Sequence, residues 1–156
     1  MKTLQITEAN ARKLYKDATP EFKVTLEDTF GKEYFSRKVT DCDTYEEVCH
    51  FIGETPIDEE ELRRLGFTQD EIDYRKLKTI TKAYNDGWVP DWKDDDQPKY
   101  FPYFSTGSSS GFAFLGTVYD YSDPNAGCGS RLCFKSKELA EYAGRQFVDL
   151  YRGFML

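Results

Sequence analysis

Apolar residues recur at helical spacing through the first 87 residues. Residues 7–30 carry two such stripes, and Thr19-Pro20 separates them. Apolar positions three and four apart lie on one face of a helix, and threonine followed by proline is typical of a helix start. The pattern therefore predicts two short helices within residues 7–30. Further stripes with capping residues predict helices near 45–52, 58–65 and 69–86.

The period of the pattern changes after Gly87. Residues 88–98 form a loop rich in aspartate, and from Lys99 onward large apolar residues alternate with a period of two. This alternation is typical of β-strands, and Pro102 places the first of them at a sheet edge. The pattern predicts strands near 100–105 and 112–121, a short third strand at 131–134, and a final helix over about 137–154.

These elements together predict an α+β fold. Several short N-terminal helices would pack around a three-stranded antiparallel meander that a long C-terminal helix covers. The chain has 156 residues, a length typical of one domain. We therefore predict a single domain, 1–156, with a helical part (1–87), a loop (88–98) and the meander with its helix (99–156).

The charge balance argues against general binding to duplex nucleic acid. The formal net charge is −7, whereas such proteins neutralise phosphates with a basic surface. No run of about 20 apolar residues is present, and the N-terminus carries no secretory signal. We expect a soluble protein in a cytoplasm, with no membrane association. The four cysteines lack the close paired spacing of a zinc site, so we expect reduced thiols.

Aromatic residues concentrate on the predicted strands. Half of these rings must face the last helix as core, and the other half would form a binding face. The rings could contact a protein or stack on single-stranded bases, with nearby cations on phosphates. The acidic charge favours protein. The candidates for this binding face are Tyr100, Tyr103, Phe112, Tyr119, Tyr121, Lys99 and Arg131.

Two loops are rich in carboxylates. Oxygen ligands of this kind can bind Ca²⁺ or Mg²⁺, but the order of an EF-hand loop is absent and a solvated linker is the favoured interpretation. Converging carboxylates would instead suggest a metal-dependent enzyme. The candidate ligands are Asp91, Asp94, Asp95, Asp96, Asp120 and Asp123.

Signatures of other catalytic sites are missing from the sequence. His50 is the only histidine, and it adjoins Cys49 on a predicted helix, where neighbouring side chains point in different directions and cannot form a dyad. No nucleophile elbow, metalloprotease motif or phosphate-binding loop occurs. We therefore expect no catalytic residues and no cofactor.

Three segments of the chain carry a resemblance. They are residues 6–35, residues 83–92 (AYNDGWVPDW) and residues 129–155, which include the block RLCFKSKELAEYAGRQF. They resemble a family of small uncharacterised phage- and prophage-encoded proteins of Bacteroidetes-type gut bacteria. In this family the C-terminal block recurs behind differing N-terminal segments. The resemblance implies a mobile-element origin and no particular chemistry.

The resemblance implies an origin in a phage or prophage and a place in the cytoplasm of a bacterial host. Together with the missing catalytic signatures and the aromatic strands, it predicts a non-catalytic accessory protein that acts as an interaction module. Its partner is expected to be a protein, and the oligomeric state is left open. The alternatives are a single-stranded nucleic-acid-binding protein that uses the aromatic sheet face and a metal-dependent enzyme that uses the aspartate-rich loops.

Overall fold

The computed structural model describes residues 6–108, 111–120 and 130–156. The chain divides into two compact units, Met1–Pro56 and Ile57–Leu156. Within the described residues, no helix is both long and apolar enough to cross a membrane. The prediction of a single domain stays a prediction.

The first unit is helical. Its helices are α1 (Glu8–Asp17), α2 (Pro20–Phe30), α3 (Lys32–Ser36) and α4 (Tyr45–Ile52), with a 3-10 turn at Val39–Asp41. The predicted break at Thr19-Pro20 is confirmed, since the Thr19 hydroxyl accepts a hydrogen bond from the backbone N–H of Phe22 at 3.4 Å. The local capping chemistry therefore sets this boundary.

An arginine organises the interior of this unit. The guanidinium of Arg12 lies between the rings of Tyr34 and Phe51, with its Cζ 4.3 Å and 4.1 Å from the two centroids. It also donates hydrogen bonds to the backbone oxygens of Tyr34 and Arg37. Such a stacked cation joins α1 to α4 while its charge is still partnered.

The second unit combines helices with a hairpin. Its elements are α5 (Glu59–Arg64), α6 (Gln69–Asn85), β1 (Lys99–Ser108), β2 (Gly111–Asp120), a 3-10 turn (Ser130–Leu132), α7 (Lys137–Gln146) and α8 (Val148–Met155). A capping box begins α6 at its predicted start, because the Thr68 and Glu71 side chains each accept from the backbone N–H of the other.

The predicted three-stranded meander is wrong. Among the described residues the sheet has two strands, β1 and β2, and residues around the expected third strand make one isolated bridge, Tyr100 to Phe134. A ladder through this bridge would next pair Leu132 with Pro102 and Ser136 with Pro98, and proline has no N–H to donate. On the other side of the segment, the Asn85 side-chain amide of α6 donates to the backbone oxygen of Cys133 at 2.8 Å and accepts from the N–H of Lys135 at 3.0 Å. Asn85 therefore takes the backbone groups that point away from β1, and these groups are not left for a further strand.

The predicted long C-terminal helix is also wrong, because it divides at Phe147 into α7 and α8. The two halves pack on different neighbours. α7 lies on the hairpin, and α8 lies on α6, where Gly153 approaches the Asp73 carboxylate so closely that a β-carbon would be 2.0 Å from Oδ2. The break at Phe147 allows the first half to pack on the hairpin and the second half to pack on α6.

Candidate interaction surface

The inner face of the hairpin is a closed aromatic cluster. Phe104 stacks on Phe112 with centroids 4.9 Å apart, and it contacts Phe114 edge-on at 5.8 Å and Tyr151 of α8 at 4.8 Å. Phe104, Phe112 and Tyr151 are all buried. Phe112, a candidate for the binding face, is therefore a core residue, and its burial contributes to the fold.

A β-bulge interrupts the pairing of the two strands. Tyr103 lies opposite Gly116, but Phe104 lies opposite Phe114, so Leu115 is an extra residue on β2. An inserted residue bends a strand and changes the direction of its side chains. Leu115 is 61% exposed, and the bulge thus adds a large apolar side chain to the surface of the hairpin.

Three large side chains of the hairpin are exposed around this bulge. They are Tyr103 at 54%, Leu115 at 61% and Val118 at 45%, and we call them the outer apolar surface. Phe101, the cross-strand partner of Val118, is partly buried. Directly opposed residues of an antiparallel pair share a face. The Phe101–Val118 and Tyr103–Gly116 pairs therefore lie on the face of the hairpin that is opposite to the aromatic cluster.

Two predicted tyrosines lie near the end of the hairpin. Tyr100 and Tyr119 are cross-strand partners with ring centroids 6.1 Å apart. Tyr119 is 60% exposed, whereas Tyr100 is partly buried and exchanges backbone hydrogen bonds with Phe134. Tyr121, the remaining ring of the predicted face, lies outside the described residues.

The two predicted cations of the binding face differ in their exposure to solvent. Lys99 is completely buried, its Nζ donates to the backbone oxygen of Asp94 at 2.9 Å, and the indole centroid of Trp92 is 5.5 Å away. A phosphate could not reach it without exposing the interior. Arg131 is exposed in the turn before α7. Of the two, only Arg131 is positioned to meet a ligand.

The aspartate-rich loop is held by its own turns. Carboxylate oxygens of Asp91 and Asp94 accept from the backbone N–H of Lys93 and Asp96, at 2.9 Å and 3.0 Å. Asp95 and Asp96 are exposed. Such short-range bonds are typical of Asx turns, and they give Asp91 and Asp94 a structural role in the loop.

The structure does not assemble these carboxylates into a ligand set. Asp120 ends β2, and Asp123 lies outside the described residues. Across 6–108, 111–120 and 130–156, no group of three or more potential metal ligands comes together.

Two arginines of the C-terminal helices contact the rings of β2. The Cζ of Arg145 lies 4.7 Å from the Phe114 centroid, and that of Arg152 lies 5.9 Å from the Phe112 centroid. Both residues are exposed. Arg152 pairs with Asp149 at 2.9 Å. For Arg145, no ion pair is formed with a carboxylate of the described segments. These cations add positive charge along the helix side of β2.

No protein-family model matches the chain, and no curated protein or solved structure matches it either.

Leu115, Val118 and Arg145 were not among the binding residues predicted from the sequence. One signal for Leu115 was present, since a glycine within a strand often marks a bulge, and Gly116 follows Leu115 directly. Arg145 has no comparable signal, because its position depends on how α7 crosses the hairpin.

Proposed function

We propose that this protein is a non-catalytic interaction module of phage or prophage origin that binds a host or phage protein through the outer apolar surface. It would act in the cytoplasm of a bacterial host. The observation that carries the proposal is the exposure of Tyr103, Leu115 and Val118 on one small hairpin. Exposed apolar patches of this kind mark sites of association.

The chemistry of this surface favours a protein over single-stranded nucleic acid. A base-binding sheet needs cations beside its rings to neutralise phosphates, and the predicted cation Lys99 is buried. Two of the three surface residues are aliphatic, which suits the packing of apolar side chains rather than the stacking of bases. The third residue, Tyr103, is of a type that is enriched in protein interfaces.

Site-specific photo-crosslinking tests the proposal. A photoreactive benzoylphenylalanine is placed at Leu115, and the matched control carries it at Val24, an exposed position of α2. Both proteins are illuminated in an extract of a gut bacterium of the Bacteroidetes type. We expect a crosslinked product at position 115 that is larger than this protein by the mass of a second polypeptide and that nuclease leaves unchanged, with no such product at position 24.

The same experiment can reject the proposal. If the product at position 115 is sensitive to nuclease, the surface binds nucleic acid instead. If positions 115 and 24 give the same products, or if Leu115→Glu does not remove a product formed from a second photoreactive position at Val118, the outer apolar surface is not a docking site.

A further inference from the structure

The two edges of the hairpin differ in whether their backbone groups are blocked from pairing with another strand. On β1, Pro102 has no N–H to offer, and Tyr100 already exchanges two backbone hydrogen bonds with Phe134, at 3.0 Å and 2.8 Å. From Phe112 to Val118, β2 pairs only with β1 within the described residues. From residue 111 to residue 119 it contains no charged residue and no proline. Natural edge strands usually carry such residues to prevent pairing.

The arginines lie beside β2 on its helix side, where Arg145 contacts the ring of Phe114 and Arg152 that of Phe112. Both side chains are exposed. A strand added along the half of β2 before the bulge would lie next to the strand whose rings both guanidinium groups contact.

We propose that the edge of β2 accepts an extended segment of a partner protein as a third strand, and that Arg145 binds a carboxylate side chain of that segment. The inference rests on the proposed function and specifies the chemistry of its partner. The backbone groups of an open edge select an extended chain. A guanidinium that stacks on Phe114 and lacks an ion pair within the described residues selects a carboxylate, which it can bind through two parallel hydrogen bonds.

A second copy of this chain fits the site less well. β2 carries no carboxylate between residues 111 and 119, so another β2 would present no acid opposite Arg145 over that stretch. Two copies also bring together net charges of −7 each. A short acidic segment concentrates its charge at the arginines, and the remaining repulsion is screened beyond about 8–10 Å at physiological salt.

Selection from a library of random nine-residue peptides tests the inference on the full chain. We expect selected peptides to alternate apolar residues and to carry Asp or Glu at one fixed position. N-methylation of the best peptide should weaken binding at every second residue, because alternate N–H groups of a strand point to the same neighbour. Arg145→Gln should lower the affinity for that peptide by roughly tenfold, as expected for loss of one charge-assisted contact.

Arg131→Gln is the matched control, since it removes an exposed arginine elsewhere in the same unit with the same change in charge. Arg131→Gln should leave the affinity for the best peptide unchanged. Arg145→Lys should bind that peptide more tightly than Arg145→Gln but less tightly than the natural protein, because an ammonium cannot make two parallel hydrogen bonds to a carboxylate. Thermal melts of all three variants check that the fold is retained.

Several results would overturn the inference. The selected peptides could lack acidic residues, or no peptide could be selected at all. Arg145→Gln could bind the best peptide as tightly as the natural protein does, or N-methylation could weaken binding at positions that do not alternate. The free protein could also form a dimer through β2. If the peptides bind Leu115→Glu poorly but bind Arg145→Gln normally, only the mode of binding is wrong and the proposed function stands. The crosslinking at Leu115 decides the proposed function separately.

Discussion

Gly144 of α7 lies directly against Phe114 of β2. A β-carbon on Gly144 would lie 2.5 Å from Cε2 of that ring and 2.8 Å from Cβ of Pro102 on β1. Real β-carbons do not approach other atoms so closely. The glycine therefore allows α7 to contact both strands at once, and this contact holds the hairpin against the helix and leaves its opposite face exposed.

Gly144→Ala should destabilise the protein despite the higher helix propensity of alanine. The propensity gain is about 1 kcal/mol, whereas overpacking of a filled site typically costs about 1–3 kcal/mol. Urea denaturation should show a net loss. In a double-mutant cycle, Phe114→Ala should remove most of this loss, because it removes the ring that the new methyl group meets. Full additivity of the two changes would show that the close contact is not the cause.

Phe147→Ala should cost about 3–5 kcal/mol of unfolding free energy, the usual range for truncation of a buried ring. Phe147 is 6% exposed and contacts the ring of Tyr84 on α6 with centroids 6.3 Å apart. Tyr103→Ala is the control, since it makes the same truncation on the exposed face of the same unit. Urea midpoints should separate the two variants clearly. Equal shifts would contradict the assignment of Phe147 to the core.

The helices were largely predictable because their signals are local. Thr19, Asp58 and Thr68 all bond the first turn that follows them, so a few consecutive residues determine each start. α6 ends within one residue of the predicted position. Such boundaries need no information about distant parts of the chain.

The third strand was not predictable in this way. Its apolar residues suggested alternation, yet Leu132, Cys133 and Phe134 are all buried in succession. The backbone of Phe134 pairs with Tyr100 alone, and the backbone oxygen of Cys133 accepts from a side chain 48 residues away in the sequence, that of Asn85. Nothing in residues 131–134 reports that long-range bond.

The interaction surface was predictable only in part. Alternation divides a strand into two faces, but it does not tell which face a helix covers. For that reason Phe112 was grouped with Tyr103, although the structure buries the first and exposes the second. The bulge at Leu115 depends on the pairing of the two strands, and pairing is a property of the folded hairpin.

Asp73 should make stability depend on pH. Burial raises the pKa of this carboxyl, and the charge of Glu59 adds to the rise, while the hydrogen bond from Gln69 opposes it. The native state therefore holds the Asp73 proton more tightly than the unfolded chain, in which the pKa is about 3.9. This contribution to stability is complete below that pH and is lost as pH rises through the native pKa.

Asp73→Asn removes this titration and retains an oxygen that can accept from Gln69. Measured between pH 3 and pH 7, the stability of the variant relative to the natural protein should rise with pH. Glu59→Gln should show the opposite trend, because the hydrogen bond from Lys76 lowers the pKa of Glu59 and its contribution is lost as pH falls. Parallel stability curves for the natural protein and Asp73→Asn would rule out the titration of Asp73 as a source of pH dependence.

Asn85→Ala should destabilise the link between α6 and the segment before α7. Asn85 is buried, and its amide satisfies the backbone oxygen of Cys133 and the N–H of Lys135. A buried polar group without a partner costs about 1–3 kcal/mol, so two such groups should lower the unfolding free energy by about 2–6 kcal/mol.

Lys135→Met separates this amide bridge from the second contact between the same residues, in which the Lys135 ammonium donates to the backbone oxygen of Asn85 at 3.0 Å. The methionine variant keeps the backbone N–H and should change stability by less than about 1 kcal/mol, as for an exposed polar contact. Hydrogen exchange gives the decisive measurement. The N–H of Lys135 should be protected in the natural protein and in Lys135→Met, and it should exchange rapidly in Asn85→Ala under conditions where all three are folded. If that N–H stays protected in Asn85→Ala, another group satisfies it, and Asn85 is not what links the segment before α7 to α6.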